Sequence, residues 1–102
     1  MAQLTVIRWR DIPMQVVARE GKTSARRLLS DRFQEAVDAS AMVAGLIDAD
    51  DYTAEMGSDR RPCGEDLEAE ADAEATRLEG EWTDEVLRAT IRAAGKRGRE
   101  PA

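Results

Sequence analysis

Across Leu4 to Glu20 (LTVIRWRDIPMQVVARE), the stretch richest in β-branched and aromatic residues, two runs alternate with period two. Thr5, Ile7 and Trp9 fall on one face against Leu4, Val6, Arg8 and Arg10 on the other; Met14, Val16 and Ala18 then oppose Gln15, Val17 and Arg19. Such alternation predicts a β-hairpin. Asp11-Ile12-Pro13 between the runs is turn chemistry, with a side-chain acceptor and a residue of fixed φ, and Pro13 without a donor belongs at a strand start or edge. Glu20-Gly21-Lys22 reads as a second turn, and Thr23 to Leu29 as a third, charge-protected edge strand, with a helix as the alternative because Ala, Arg and Leu also favour helices.

From Ser30 the period changes. Phe33, Val37, Ala41 and Ala44, with Ala36 and Ser40 beside them, line one face of an amphipathic helix that Ser30 caps, Asp31 complements electrostatically and Gly45 ends. Its small residues predict close approach, so this helix is expected to lie across the sheet. Leu46 and Ile47 supply apolar anchors before a short helix capped by Asp48, with Tyr52 and Met56 on one face and Gly57 at its end. Ser58 to Gly64 reads as a mobile loop. Glu65 to Glu81 predicts a charged helix with a narrow stripe of Leu67, Ala71, Ala75 and Leu78 leading to Trp82. Thr83, Asp84 and Glu85 start a last helix with Val86, Leu87, Thr90, Ile91 and Ala94 as its apolar face, before Gly95.

The pattern predicts an α+β fold: a short antiparallel sheet, made of the hairpin and a third strand, with three to four helices packed on one face. Residues 1–95 form a single domain, and the basic run 96–102 a disordered tail. At 102 residues the core is thin, and with one Phe and one Tyr in the chain, Trp9 and Trp82 carry much of it.

Charge changes the functional picture more than composition does. The net charge is −6, but residues 1–34 hold seven Lys or Arg against three acids, residues 35–87 three against seventeen, and residues 88–102 five against one. An acidic centre repels phosphate backbones, so nucleic acid is not an expected partner. No long apolar run and no signal-peptide order is present, which predicts a cytosolic protein without membrane association.

Candidate chemistry is sparse. The chain has no His, hence neither the usual general base nor the commonest zinc ligand, and no metal-ligand cluster, phosphate loop or nucleophile with its base. Cys63 follows Arg60 and Arg61, whose charge favours a thiolate, yet no Cys-His relay is available and catalysis by it is not expected. The acid-rich run Glu65 to Glu81 matches neither a calcium loop nor a carboxylate dyad, and reads as a solvated helix face. Arg8, Arg10, Arg19, Arg26 and Arg27 either form a basic face for an acidic partner or pair with the protein's own acidic helix.

The turn Trp9, Arg10, Asp11, Ile12 and Pro13, with Gln15, is the candidate binding site. A hairpin turn needs only polar residues, yet this one holds an apolar Ile12 beside an Arg and an Asp. Either the tip meets a partner or ligand, or Ile12 folds back to close the core; both readings stand at this point.

Ile7, Trp9, Arg10, Asp11, Ile12, Pro13, Gln15 and Val16, followed by Arg32, Phe33, Gln34, Ala36, Val37, Asp38, Ala39, Ala41 and Met42, resemble a small bacterial family labelled virulence factor, and Asp72 to Trp82 extends the likeness. Relatives tend to carry Tyr-Leu-x-x-Trp where this chain has Tyr52-Thr53-Ala54-Glu55-Met56, so any role that depends on that second aromatic does not carry over. The resemblance implies an accessory subunit or adaptor that sits with corrinoid and folate one-carbon enzymes, and it brings no catalytic residues. The expected function is therefore a non-enzymatic interaction module with a protein partner, no bound cofactor and homo-oligomerisation open. The alternative is a small-ligand or cofactor-handling subunit of corrinoid and folate one-carbon metabolism, with Trp9 and its neighbouring arginines holding a flat anionic group.

Overall fold

The computed structural model describes residues 1–46 and 48–96. Ile47 and nearly all of the predicted basic tail, residues 97–102, lie outside the described residues. Three strands open the chain, β1 (Gln3–Trp9), β2 (Ile12–Glu20) and β3 (Thr23–Leu28), followed by helices α1 (Asp31–Ala44) and α2 (Ala49–Ala54), a fourth strand β4 (Met56–Pro62), and helices α3 (Leu67–Glu81) and α4 (Asp84–Arg92). The strands form one antiparallel sheet in the order β3-β2-β1-β4, and the fold is α+β.

The hairpin and the third strand follow the predicted alternation. Leu4 lies opposite Ala18 and Val6 opposite Val16 on one face, with Ala25 continuing the row from Ala18 onto β3. The ladder slips once: Ile7 faces Gln15 but Arg8 faces Pro13, leaving Met14 as the extra residue of a bulge. A proline that cannot donate to the ladder suits such a position.

The loop expected over Ser58 to Gly64 is instead mostly β4, which pairs with β1 from Trp9↔Met56 to Gln3↔Pro62. Its sequence MGSDRRP has almost no strand propensity. Pairing with the otherwise bare edge of β1 supplies the backbone partners, so tertiary context decides the conformation. Met56 accordingly belongs to the strand rather than to a helix face shared with Tyr52, and α2 ends at Ala54, before Gly57.

Helix α3, not α1, is the helix laid on β2 and β3; α1 packs against α4 and touches the sheet along β2. The stripe of α3 explains this. Leu67, Ala71 and Leu78 are buried, and Ala18 and Ala25 below are small enough to let a helix approach. Arg27 of β3 reaches up to Glu68 and Asp72 of α3, so the basic strand and the acidic helix do meet.

Gly45 ends α1 in the left-handed conformation, φ 76°. Ser30 occupies the N-cap but makes no side-chain cap bond; its amide and hydroxyl donate to the carboxylate of Glu79 at 2.7 and 3.0 Å, which ties α1 to α3. Asp48 likewise holds the N-cap position of α2 without a side-chain bond. The functioning side-chain caps are Asp66, accepting from the Ala69 amide, and Thr83, accepting from the Val86 amide. One hydrophobic cluster runs from Leu4, Val16 and Ala18 through Phe33 and Val37 to Leu78, Trp82 and Leu87, with Leu46 packed at its margin.

Candidate interaction surface

The turn proposed from sequence as a binding site is built into the frame of the fold. Trp9 and Ile12 are completely inaccessible, and Pro13 is buried. The Trp9 indole Nε1 donates to the Tyr52 carbonyl at 2.9 Å, with the two rings 5.6 Å apart. Arg10 adopts φ 50°, a left-handed conformation rare for a side chain of its size, and its surroundings hold it there. Its amide donates to Glu55 O at 3.0 Å, its Nε to Glu55 Oε1 at 3.1 Å and its Nη1 to Ala94 O at 2.9 Å, while Arg8 donates to the Arg10 carbonyl at 2.8 Å.

Ile12 therefore closes the core, and the premise of an exposed apolar tip does not hold. Nor is the Trp9 ring open to a flat ligand. Its neighbour is Arg10, whose guanidinium carbon lies 5.4 Å from the ring centroid. Of the six residues singled out, Gln15 stands apart: it is half-buried and projects on the other side of the sheet from α3, in the row that Leu28, Gln15, Ile7 and Ser58 form across the four strands.

That second face is the surface left open. Strand register puts Arg26, Val17, Thr5 and Arg60 side by side in one row, with Arg19 and Gln3 in the next row and Ile7 in the row that includes Gln15. A shallow concavity of about 510 Å³ lies over these residues, with Arg19, Arg26 and Arg60 exposed at its borders and Thr5 and Ile7 partly exposed in its floor. No Asp or Glu lines it. Among the described residues Arg19, Arg26 and Arg60 make no ion pair and no side-chain hydrogen bond, whereas Arg8, Arg10, Arg27, Arg32, Arg61 and Arg77 each meet a carboxylate. Leu28, at the β3 edge of this face, is 75% exposed.

The α3 side carries a smaller cleft of about 330 Å³ between that helix and the β1–β4 half of the sheet, with Leu4, Val6, Pro13, Leu78 and Trp82 among its lining residues. Glu74 points into it from the buried stripe of α3 and is only 6% exposed. Arg77 donates to both its oxygens, at 3.0 and 2.6 Å, and Arg61 adds a bond at 3.3 Å. Those bonds, Arg77's first, hold the Glu74 carboxyl below the usual carboxylate range against the opposing effect of burial. Cys63 behaves oppositely. Burial pushes its thiol up and Glu70 adds to the rise, with Arg61 opposing, so the thiolate that Arg60 and Arg61 suggested from sequence is not favoured.

Among the described residues no group of three or more His, Cys, Asp or Glu side chains could hold a metal ion, and no helix is long and apolar enough to cross a membrane. Arg19 and Arg26 were visible in sequence as part of a larger basic set, whereas Arg60 fell in the stretch that reads as a loop; which arginines are paired was not visible, because pairing depends on which face each strand residue takes.

A four-stranded antiparallel sheet, backed by an acidic helix on one face and open on the other, places the protein among small α+β domains with an exposed sheet surface. Its family follows from the sequence itself: the model of the family described as Virulence factor matches residues 7–91, and the chain belongs to that family. No curated protein and no solved structure matches the chain.

Proposed function

We propose that this member of the Virulence factor family is a non-enzymatic accessory module that docks a protein partner on the open face of its sheet. The observation that carries the reading is the unpaired state of Arg19, Arg26 and Arg60 around the partly exposed Thr5 and Ile7. Guanidinium groups framing a small apolar floor form an interface of the usual anatomy, with Arg enriched and a polar rim. Every other arginine on the strands, Arg8, Arg27 and Arg61, meets one of the protein's own acids, so the three left over on the sheet share one face; Arg88 and Arg92, on α4, are also unpaired among the described residues.

Affinity purification of the full chain at low and high salt, with partners identified by mass spectrometry, tests the proposal. A protein captured at low salt and lost on substitution of the open face supports it. A chain that stays alone and monomeric under both conditions overturns it.

The α3 cleft favours a second reading, handling of a small anionic ligand. Arg8, Arg60, Arg61 and Arg77 line a cavity with apolar walls in which Asp11, Asp59 and Glu74 offset three of the four positive charges, and the family resemblance suggests folates or corrinoids as ligands to try. Calorimetry with both at ~1 mM checks it, since a useful site shows binding well below that concentration.

A further inference from the structure

Building on the reading of the open face as a docking surface, we propose that its occupant is an acidic, extended polypeptide segment with the pattern acid-x-apolar-x-acid, laid across the four strands over Arg26, Val17, Thr5 and Arg60. Charge commits the chemistry. The chain has 21 acids and 15 bases, yet the residues lining this concavity include three arginines and no carboxylate. Potential on such a surface is positive against a molecule that is otherwise net negative, and it draws a negative partner.

Register commits the spacing. Arg26 and Arg60 lie on the two edge strands of one row, separated by Val17 and Thr5. Three interstrand steps span about 14 Å. An extended chain advances ~3.4 Å per residue, so carboxylates four positions apart reach both guanidinium groups. Period two then turns the residue midway between them toward the same side. That residue meets Val17 and Thr5, with Ile7 diagonally adjacent, and an apolar side chain fits there. Arg19, in the neighbouring row, supplies a third cation for a further acid. Single-stranded nucleic acid fits the face less well, because none of its lining residues is aromatic and bases have no ring to stack on.

The test is an NMR titration of the isotopically labelled full chain with three probes: a capped nine-residue peptide carrying two glutamates four positions apart around a central leucine, the same composition with the glutamates adjacent, and a single-stranded oligonucleotide. Amide shifts confined to Thr5, Ile7, Val17, Arg19, Arg26 and Arg60, about tenfold tighter for the spaced peptide and weakened by salt, are the expected result. The double variant R26E/R60E, with its spectrum confirming the fold, abolishes that binding.

Tighter binding of the oligonucleotide, equal binding of the two peptides, shifts elsewhere on the molecule, or concentration-dependent shifts without any probe each overturn the proposal. The docking reading is separable from it. A partner found by purification that is lost with Ile7→Asp but retained with R26E/R60E leaves the docking face standing and removes the acidic pattern; retention with both removes the two together.

Discussion

The amide of Asp11 donates to the carbonyl of Gly95 at 3.0 Å, so the first turn of the chain is closed by a residue three positions past the end of α4. Gly95 sits at φ 93°, and a Cβ built there would lie 2.8 Å from Cζ3 of Trp9. Both the conformation and the contact demand glycine. Gly95→Ala is expected to lower stability by about 1–3 kcal/mol, from left-handed strain plus displacement of a fully buried indole. Urea unfolding followed by Trp fluorescence measures it; an unchanged midpoint would mean that the 95 position is free to move off the ring.

Ile12 is the apolar residue that this closure buries. Ile12→Ser is expected to cost roughly 2–5 kcal/mol, because it removes a buried aliphatic side chain and leaves a hydroxyl in its place. Below its melting temperature the variant should still engage the open sheet face, which Ile12 does not line. Thermal melting together with the peptide titration separates the two effects. A normal melting temperature with lost binding would restore the turn as a contact site.

The contrast between β1–β2 and β4 shows what local sequence encodes. Leu4 and Val6 alternate with Gln3 and Thr5, and Val16 and Ala18 with Gln15 and Arg19, Ile7 and Val17 being the apolar exceptions, because one face of the sheet is covered by a helix, and that asymmetry is written into the residues themselves. β4 has both edge position and high exposure, so nothing selects an alternating pattern; Gly57 reads as a helix end and Ser58 to Pro62 as loop, and only the unpaired edge of β1 makes them a strand. The choice between the two readings of Ile12, core closure or contact tip, stayed open in the sequence for a related reason. It depends on Gly95 and Glu55, both remote in sequence, which tether the turn through backbone bonds that carry no side-chain signature. The open-face arginines were legible as charge but not as a set, since Arg26 and Arg27 are neighbours in sequence and lie on opposite faces.

Ser40 is completely buried in α1 and its hydroxyl has no hydrogen-bond partner. A desolvated hydroxyl without compensation is a net cost, and Ala is the better helix former. Ser40→Ala should raise stability by roughly 1 kcal/mol, seen as a higher denaturation midpoint with unchanged slope. A fall instead would reveal a bond from that hydroxyl in solution.

Glu74 sets an acid limit on stability. Its carboxyl is held low by Arg77 and Arg61, so the folded state binds its proton less readily than the unfolded chain does. The stabilisation is complete above the unfolded carboxylate value of ~4.3 and is lost as pH falls through the lower folded value. Glu74→Gln keeps the shape but removes the charge that orients both arginines. Near neutral pH the variant should be less stable by roughly 1–3 kcal/mol, since Arg61 loses its carboxylate at the mouth of the cleft and Arg77 keeps only Glu81. As pH falls from about 5 through the lowered folded value the two melting curves should converge, because protonation takes the same interaction from the parent protein. Parallel pH profiles, with a constant gap across that range, would show that Glu74 contributes through packing rather than charge.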